Sequence, residues 1–439
     1  MNPLINPFIR SGTHPEQAIV DRRRASRLFS PLVAEGGALN VYGERCMGKS
    51  LMLQYIAEPP HDWREAHFQN YIFTFFNCQD IVIPFTANNF WTQATKTLER
   101  KTEDSPIKEK CQALLARIEE GTELGANDFH EILDVAAGAG KRIVLVLDDF
   151  DALIRTDTEN LDSTRTFLQG LRSLTTRDSN KANLVVATRY SLQELCKPLA
   201  VQGMSPFENG FASYRLQRFR DNDILRLLQR VEQTEQTSFI PLETRYVIYL
   251  SGYHPHLAQI AAAEIFDQRI ESGFPLRDLT PVGERFKVEA RSVFESLWEG
   301  ASEIERMLLM LIALQDFEGE ITDAQYSLSD LSNIFSQRER ELDELTERGL
   351  LNRTQTNPPA WGIFSPIFQW WIIKEIESSP PEQLSERRKV WGNLVTQKQA
   401  DKLGKTVELV KNNKQLIEKV GRSVLKLTGV ELPPLLGGG

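Results

Sequence analysis

The sequence predicts an α/β fold, a parallel sheet covered by helices on both faces, with largely helical segments after it. Three observations carry that expectation. Apolar runs of strand length alternate with helix-length segments over residues 1–220. A glycine-rich loop, Gly43-Glu-Arg-Cys-Met-Gly48-Lys49-Ser50, lies between such a strand and such a helix. A further apolar run, Ile143-Val-Leu-Val-Leu147, ends in Asp148 and Asp149.

The strands are expected at 38–43, 71–77, 142–147 and 184–188, with a weaker fifth at 213–216, because each is β-branched or aromatic and short. Helical segments are expected between them at 49–56, 89–100, 107–118, 129–137 and 161–174. Beyond residue 220 strands nearly vanish. Segments 221–232, 242–250 and 256–270 predict a small helical domain over 221–278. Over 279–379, Ser302-x-x-Glu305 reads as a capping box opening a helix at 302–314. Helices at 328–335 and 337–348 and a hairpin at 349–364 complete the pattern of a winged helix. Pro380-Pro381 then breaks into a tail, 380–439, whose Leu403, Val407, Val410, Ile417, Val420, Val424 and Leu427 mark one amphipathic helical face.

Composition narrows the class. At 439 residues, 41% hydrophobic and 25% charged, the chain has enough apolar content for several domains and is not compositionally disordered. No apolar run approaches the roughly 18 residues of a membrane span, and the N-terminus lacks a secretory apolar core. Cys46, Cys78, Cys111 and Cys196 form no CxxC and no metal-type cluster. The sequence therefore reads as soluble, cytoplasmic and reduced. Charge is uneven. Residues 381–439 carry eleven Lys/Arg against six Asp/Glu, a net of +5, which leaves −14 of the total −9 on the rest. An acidic body argues against broad nucleic-acid binding and points any anionic partner to the tail.

The loop Gly43–Ser50 has the chemistry of a phosphate cradle. Its glycines let backbone N–H groups wrap a β-phosphate, and the following helix adds its positive end. Lys49 would neutralise the β- and γ-phosphates and Ser50 would ligate Mg²⁺. Asp148, at a strand end, is placed to hold the Mg²⁺ shell, and Asp149 to orient the attacking water. Thr188-Arg189, at the end of another apolar strand, could aim a guanidinium at the γ-phosphate. Each has a bland reading, an acidic turn or a surface arginine, and the set together favours the nucleotide site.

These residues resemble the STAND ATPases, AAA+-related signalling proteins that include NB-ARC and NACHT switches. Gly43–Ser50 matches the family's Walker A loop, Val144–Asp149 its Walker B strand and Thr188-Arg189 its first sensor. Asn6-Pro7-Phe8 with Ile19-Val20-Asp21-Arg22 resembles the opening segment that lies against adenine, and Gly252-Tyr-His254-Pro255 the lid signature whose proline packs on the base. The resemblance implies ATP or ADP with Mg²⁺ as ligands, on Val20, Arg22, Gly43, Met47, Gly48, Lys49, Ser50, Leu51 and Pro255, with the metal on Ser50 and Asp148. It implies a switch that couples nucleotide state to conformational change or oligomerisation in signalling, anti-phage defence among the processes the family serves. Asp149 stands where the AAA+ catalytic Glu is usual, which predicts slow hydrolysis.

Two other classes stay open: an origin-recognition-like DNA-binding ATPase, and a nucleotide-bound scaffold for a partner protein or membrane. Segment 337–348 carries three basic and five acidic residues, which argues against DNA reading by the winged helix. The basic tail has three possible occupants: the acidic body or a second copy, an anionic membrane surface, or nucleic acid.

Overall fold

The computed structural model describes residues 6–8, 22–34, 37–81, 85–154, 160–200, 205–233, 238–274, 276, 278–317, 328, 331, 333–355 and 360–425. The chain groups into two compact units: one of Thr13–Glu44 with Gly48–Leu216, the other of Met1–Gly12, Arg45–Met47 and Gln217–Gly439.

The first unit is built on five parallel strands, β1 (Ala38–Tyr42), β2 (Tyr71–Asn77), β3 (Arg142–Asp148), β4 (Ala182–Thr188) and β5 (Phe211–Arg215), in spatial order β2-β3-β4-β1-β5. All four pairings are parallel. The central strand β4 is buried along its whole length and β3 almost so, which is why both read as continuous apolar runs and not as alternation. One face is covered by helices Ala87–Lys101, Ser105–Glu119, Ala126–Gly138 and Leu161–Thr176, the other by Arg22–Val33 and Lys49–Ala57. Each fully buried Leu, Val or Phe in these two layers contributes about 1.5–3 kcal/mol. Registers Tyr42↔Thr188 and Asn77↔Asp148 bring the carboxyl ends of β1 and β4, and of β2 and β3, level. A doubly wound sheet binds ligands at that edge.

Among the described residues the second unit is helical apart from one hairpin. Its first helices are Asp221–Leu228, Pro241–Ser251, Pro255–Ser272, Thr280–Glu289 and Arg291–Glu299. Pro241 and Pro255 sit in first turns, where a missing N–H costs nothing. Gly252 ends its helix at φ +54°, and a Cβ there would lie 2.1 Å from the Phe364 carbonyl oxygen, so only glycine fits. Helix Glu303–Leu314 starts on the expected capping box, Ser302 Oγ accepting from Glu305 N–H. Helices Asn333–Gln337 and Glu339–Glu347 and the antiparallel pair β6 (Leu351–Arg353) and β7 (Trp361–Ile363) follow. Of the expected 328–335 segment, residues 329, 330 and 332 lie outside the described residues, and a helix is formed from Asn333 on. Phe364, Phe368 and Trp371 pack with Phe294 and Trp298, as core and not as an open stacking platform.

The tail differs from the single amphipathic helix that its spacing suggests. It forms three, Pro381–Leu394, Gln397–Asn412 and Lys414–Ser423, with Asn413 at the last break. Its apolar face is covered within the unit, where Leu403, Val407, Val410 and Ile417 are buried. The Tyr246 hydroxyl donates to Leu425 O at 3.2 Å and Lys287 Nζ to Gly421 O at 2.9 Å, so side chains of helices Pro241–Ser251 and Thr280–Glu289 hold the end of the last helix. Leu427 and the terminal glycines lie outside the described residues. Among those described, no helix is long and apolar enough to cross a membrane.

Candidate nucleotide site

The loop after β1 is set by backbone angles that few residues adopt. Gly43 has φ +153° and Gly48 +91°, and Cys46 is left-handed at +60°. A non-glycine residue held there is strain of the kind found where backbone amides must face a ligand. Gly48 leads straight into helix Lys49–Ala57, so the amides of the loop and of the helix start converge. Lys49 Nζ donates to the Gly43 and Glu44 carbonyls at 2.9 and 3.1 Å. Burial draws its pKa down, and Asp151, Glu44, Asp149 and Asp148 oppose that pull. The ammonium is thus satisfied by the loop's own oxygens, which phosphate oxygens would replace.

Ser50 and Asp148 come together. The Ser50 hydroxyl hydrogen-bonds the Asp148 carboxylate, whose pKa burial raises and that bond lowers. A hydroxyl and a carboxylate side by side at a phosphate loop are the oxygen donors that a hard divalent cation takes, so the residues fit Mg²⁺. Among the described residues no group of three or more His, Cys, Asp or Glu is placed to hold a metal without such phosphate oxygens.

Asp149 follows at φ +48°, its N–H donating to Asp148 Oδ1 at 3.0 Å. Its carboxylate accepts from Asn77 Nδ2, also at 3.0 Å, across β2 and β3. Sequence reasoning missed Asn77. The available signal was a lone amide at the end of the aromatic run 71–77, level with the Asp148 end of the neighbouring strand. Arg189 lies within the same unit and pairs with Glu44 of the phosphate loop at 2.7 Å, with the Glu44 side chain only 1% exposed. Its strand end is fixed by Asn40, whose Nδ2 donates to Thr188 Oγ1 at 2.8 Å, while that hydroxyl donates to Tyr190 O at 2.6 Å. Glu44 too was missed, because it occupies a variable position of the loop motif.

The remaining expected residues fall as follows. Leu51 sits in the first turn of helix Lys49–Ala57. Val20 lies outside the described residues, and Arg22 begins helix Arg22–Val33. Met47 is buried and groups with the second unit. Pro255, in that unit, opens helix Pro255–Ser272 after His254, whose Nδ1 accepts from Leu257 N–H. Burial pushes the His254 pKa down to about 3. Asn6 donates to Ala263 O and Asp267 Oδ1 at 3.1 and 2.8 Å, and Phe8 meets Phe239 and Phe266 edge-on, so this opening segment is seated on helix Pro255–Ser272.

A second polar cluster, His130 with Asp178 and Ser173, has the residue types of a hydrolase triad. Ser173 Oγ donates to Gly170 O at 2.6 Å and His130 is buried between its two partners, so the cluster ties two helices together and is not poised for attack.

The five-stranded parallel sheet and glycine-rich loop define a P-loop NTPase. Comparison with known families agrees: the model of the AAA ATPase domain matches residues 22–186, and that of Novel STAND NTPase 2 matches residues 129–316. Over these stretches the chain is similar to P-loop ATPases of the AAA and STAND classes. Among solved structures it is similar to the Walker-type ATPase of Pyrococcus abyssi (TM-score 0.52, 14% identity, 84% of this chain and 99% of that one). It is also similar to the ORC2 protein of Aeropyrum pernix in ADPNP–ADP complexes (TM-score 0.53, 14% identity, 94% of this chain and 99% of that one). At such identity both establish the fold alone. No curated protein matches the sequence.

Proposed function

We propose that this chain is an ATP-binding, slowly hydrolysing switch that couples nucleotide state to conformational change or self-association. The observation that carries the reading is the Arg189–Glu44 ion pair inside the phosphate loop. Arg189 would exchange Glu44 for a γ-phosphate, a contact that ADP does not offer, so the two nucleotides would favour different arrangements of the loop.

Lys49 would hold the β- and γ-phosphates, with Gly43, Gly48 and the helix-start amides around them. Ser50 and Asp148 would hold Mg²⁺, which neutralises phosphate charge when bound. Asp149 would orient water, with Asn77 holding its carboxylate. The shorter aspartate arm and the Asn77 bond both keep that carboxylate back, consistent with slow turnover. Val20 and Arg22 would face the base.

The helices 303–314, 333–337 and 339–347 with the β6–β7 hairpin we read as a winged helix. A DNA-reading role for it has less support. Helix Glu339–Glu347 is acid-rich, and the nearby Arg353 pairs with Asp343 and Glu339. Signalling, with defence as one setting, remains the process this reading favours, and the tail the element for a protein or anionic-membrane partner.

The test is particle size by light scattering with ADP, with ATP and with a slowly hydrolysed ATP analogue, each with and without anionic liposomes. The reading expects the analogue to change size or shape relative to ADP. Identical behaviour with all three nucleotides would contradict it.

A further inference from the structure

Within the second unit a cleft of about 740 Å³ opens beside Arg218, walled by Ile248, Tyr249, Phe364 and Asn352 among others. That volume is in the range of small-molecule sites. Arg218 is half-buried, and burial draws its pKa below the usual arginine range. Its Nη1 donates to Gly252 O at 3.2 Å and its Nη2 to Asn352 Oδ1 at 2.7 Å, and the guanidinium lies over the Phe364 ring.

Both partners are neutral. Among the described residues no carboxylate pairs with Arg218. The unit treats its other buried arginines differently: Arg269 pairs with Glu243, Arg348 with Glu305 and Arg387 with Glu375. Arg348 also lines the cleft, but its charge is answered by Glu305 at 2.6 Å. The one acid on the lining, Glu347, is exposed. A partly desolvated cation without a counter-charge, facing a cavity with aromatic and amide walls, is costly unless something anionic completes it.

We propose that this cleft binds a compact anion with an aromatic or apolar body, its phosphate or carboxylate on Arg218 and its body against Phe364 and Tyr249. A planar guanidinium already fixed by two neutral acceptors keeps further N–H donors for a forked contact with either anion. The proposal stands apart from the nucleotide reading, because no residue of the phosphate loop lines the cleft.

The test titrates the full chain, with Mg²⁺ and saturating ADP to fill the phosphate loop, by calorimetry. The probes are phenyl phosphate, benzoate, inorganic phosphate and the neutral benzamide. We expect phenyl phosphate or benzoate to bind, the stronger of the two identifying a phosphate or a carboxylate ligand, and benzamide to bind far more weakly. Arg218→Gln should weaken binding about tenfold or more. Asn352→Asp should do the same by placing a carboxylate at the existing 2.7 Å contact, with the side-chain shape kept. ADP affinity should stay unchanged in both variants. Failure of every anionic probe to bind at millimolar concentration, or binding unaffected by both substitutions, would overturn the proposal. Failure of the wild type to bind ADP would count against the nucleotide reading alone, and the anionic probes would still decide this one.

Discussion

In the sheet unit, apart from the buried His130–Asp178 pair, buried polar and charged groups gather at one edge, where the strands end: Lys49 on its own loop carbonyls, Ser50 on Asp148, Arg189 on Glu44. These partners are makeshift, in that a phosphate and a cation would satisfy the same atoms. In the helical unit the buried charges are paired across helices for good. Arg269 and Glu243 are both fully enclosed, and Arg348 meets Glu305 between helices far apart in sequence. The difference teaches where to expect function. Charges with replaceable partners form a binding site, and charges with permanent partners hold an architecture. Arg218, in the helical unit, breaks that unit's pattern, which is why the cleft beside it stands out.

Four experiments sharpen the contrast. The largest effect should come from Glu243→Gln, which leaves Arg269 buried without its counter-charge. Breaking such a pair costs about 3–5 kcal/mol, seen as an early melting transition of the helical unit. Lys49→Ala should act in the opposite way, with stability nearly unchanged and nucleotide affinity lowered about 100-fold, roughly 3 kcal/mol, read with a fluorescent nucleotide.

The third is pH dependence. His254 is held neutral by burial, with a pKa of about 3 against an ordinary 6.5. The unfolded chain therefore binds a proton between those values that the folded chain refuses, so stability is complete above pH 6.5 and falls as pH drops. By pH 5 the loss is about 2 kcal/mol. His256, lowered in the same direction by burial, adds to it. Substituting His254 by Gln should flatten the slope of melting temperature against pH between 5 and 7. The smallest effect belongs to Asn77→Ala, which frees the Asp149 carboxylate and should change ATP turnover several-fold, about 1 kcal/mol, with nucleotide affinity retained.

The sequence made the sheet unit readable because its signals are local. β1 to β4 are short, mostly apolar runs, and the loop, Asp148 and Arg189 each sit where a strand stops. Asn77 and Glu44 escaped because their roles depend on which strand lies beside which, and spacing along the chain does not carry that. In the helical unit the capping box at Ser302 was legible. Helices Thr280–Glu289 and Arg291–Glu299 were not, since they abut at Ala290 with no strong break between them. The tail's apolar spacing marked one helical face whose cover stayed open, and Asn413 divides what looked like one helix. What covers that face, helix Pro366–Ser378 with Tyr246 of helix Pro241–Ser251, comes from earlier parts of the chain and could not be seen from the tail itself.

The central claim is that Arg189 distinguishes ATP from ADP by leaving Glu44. It is tested most directly by measuring the affinities of wild type and Arg189→Gln for ADP and for a slowly hydrolysed ATP analogue, with Mg²⁺ present. The account predicts that the substitution weakens the ATP analogue about tenfold or more and leaves ADP nearly unchanged. Equal loss for both nucleotides, or no loss for either, would contradict it.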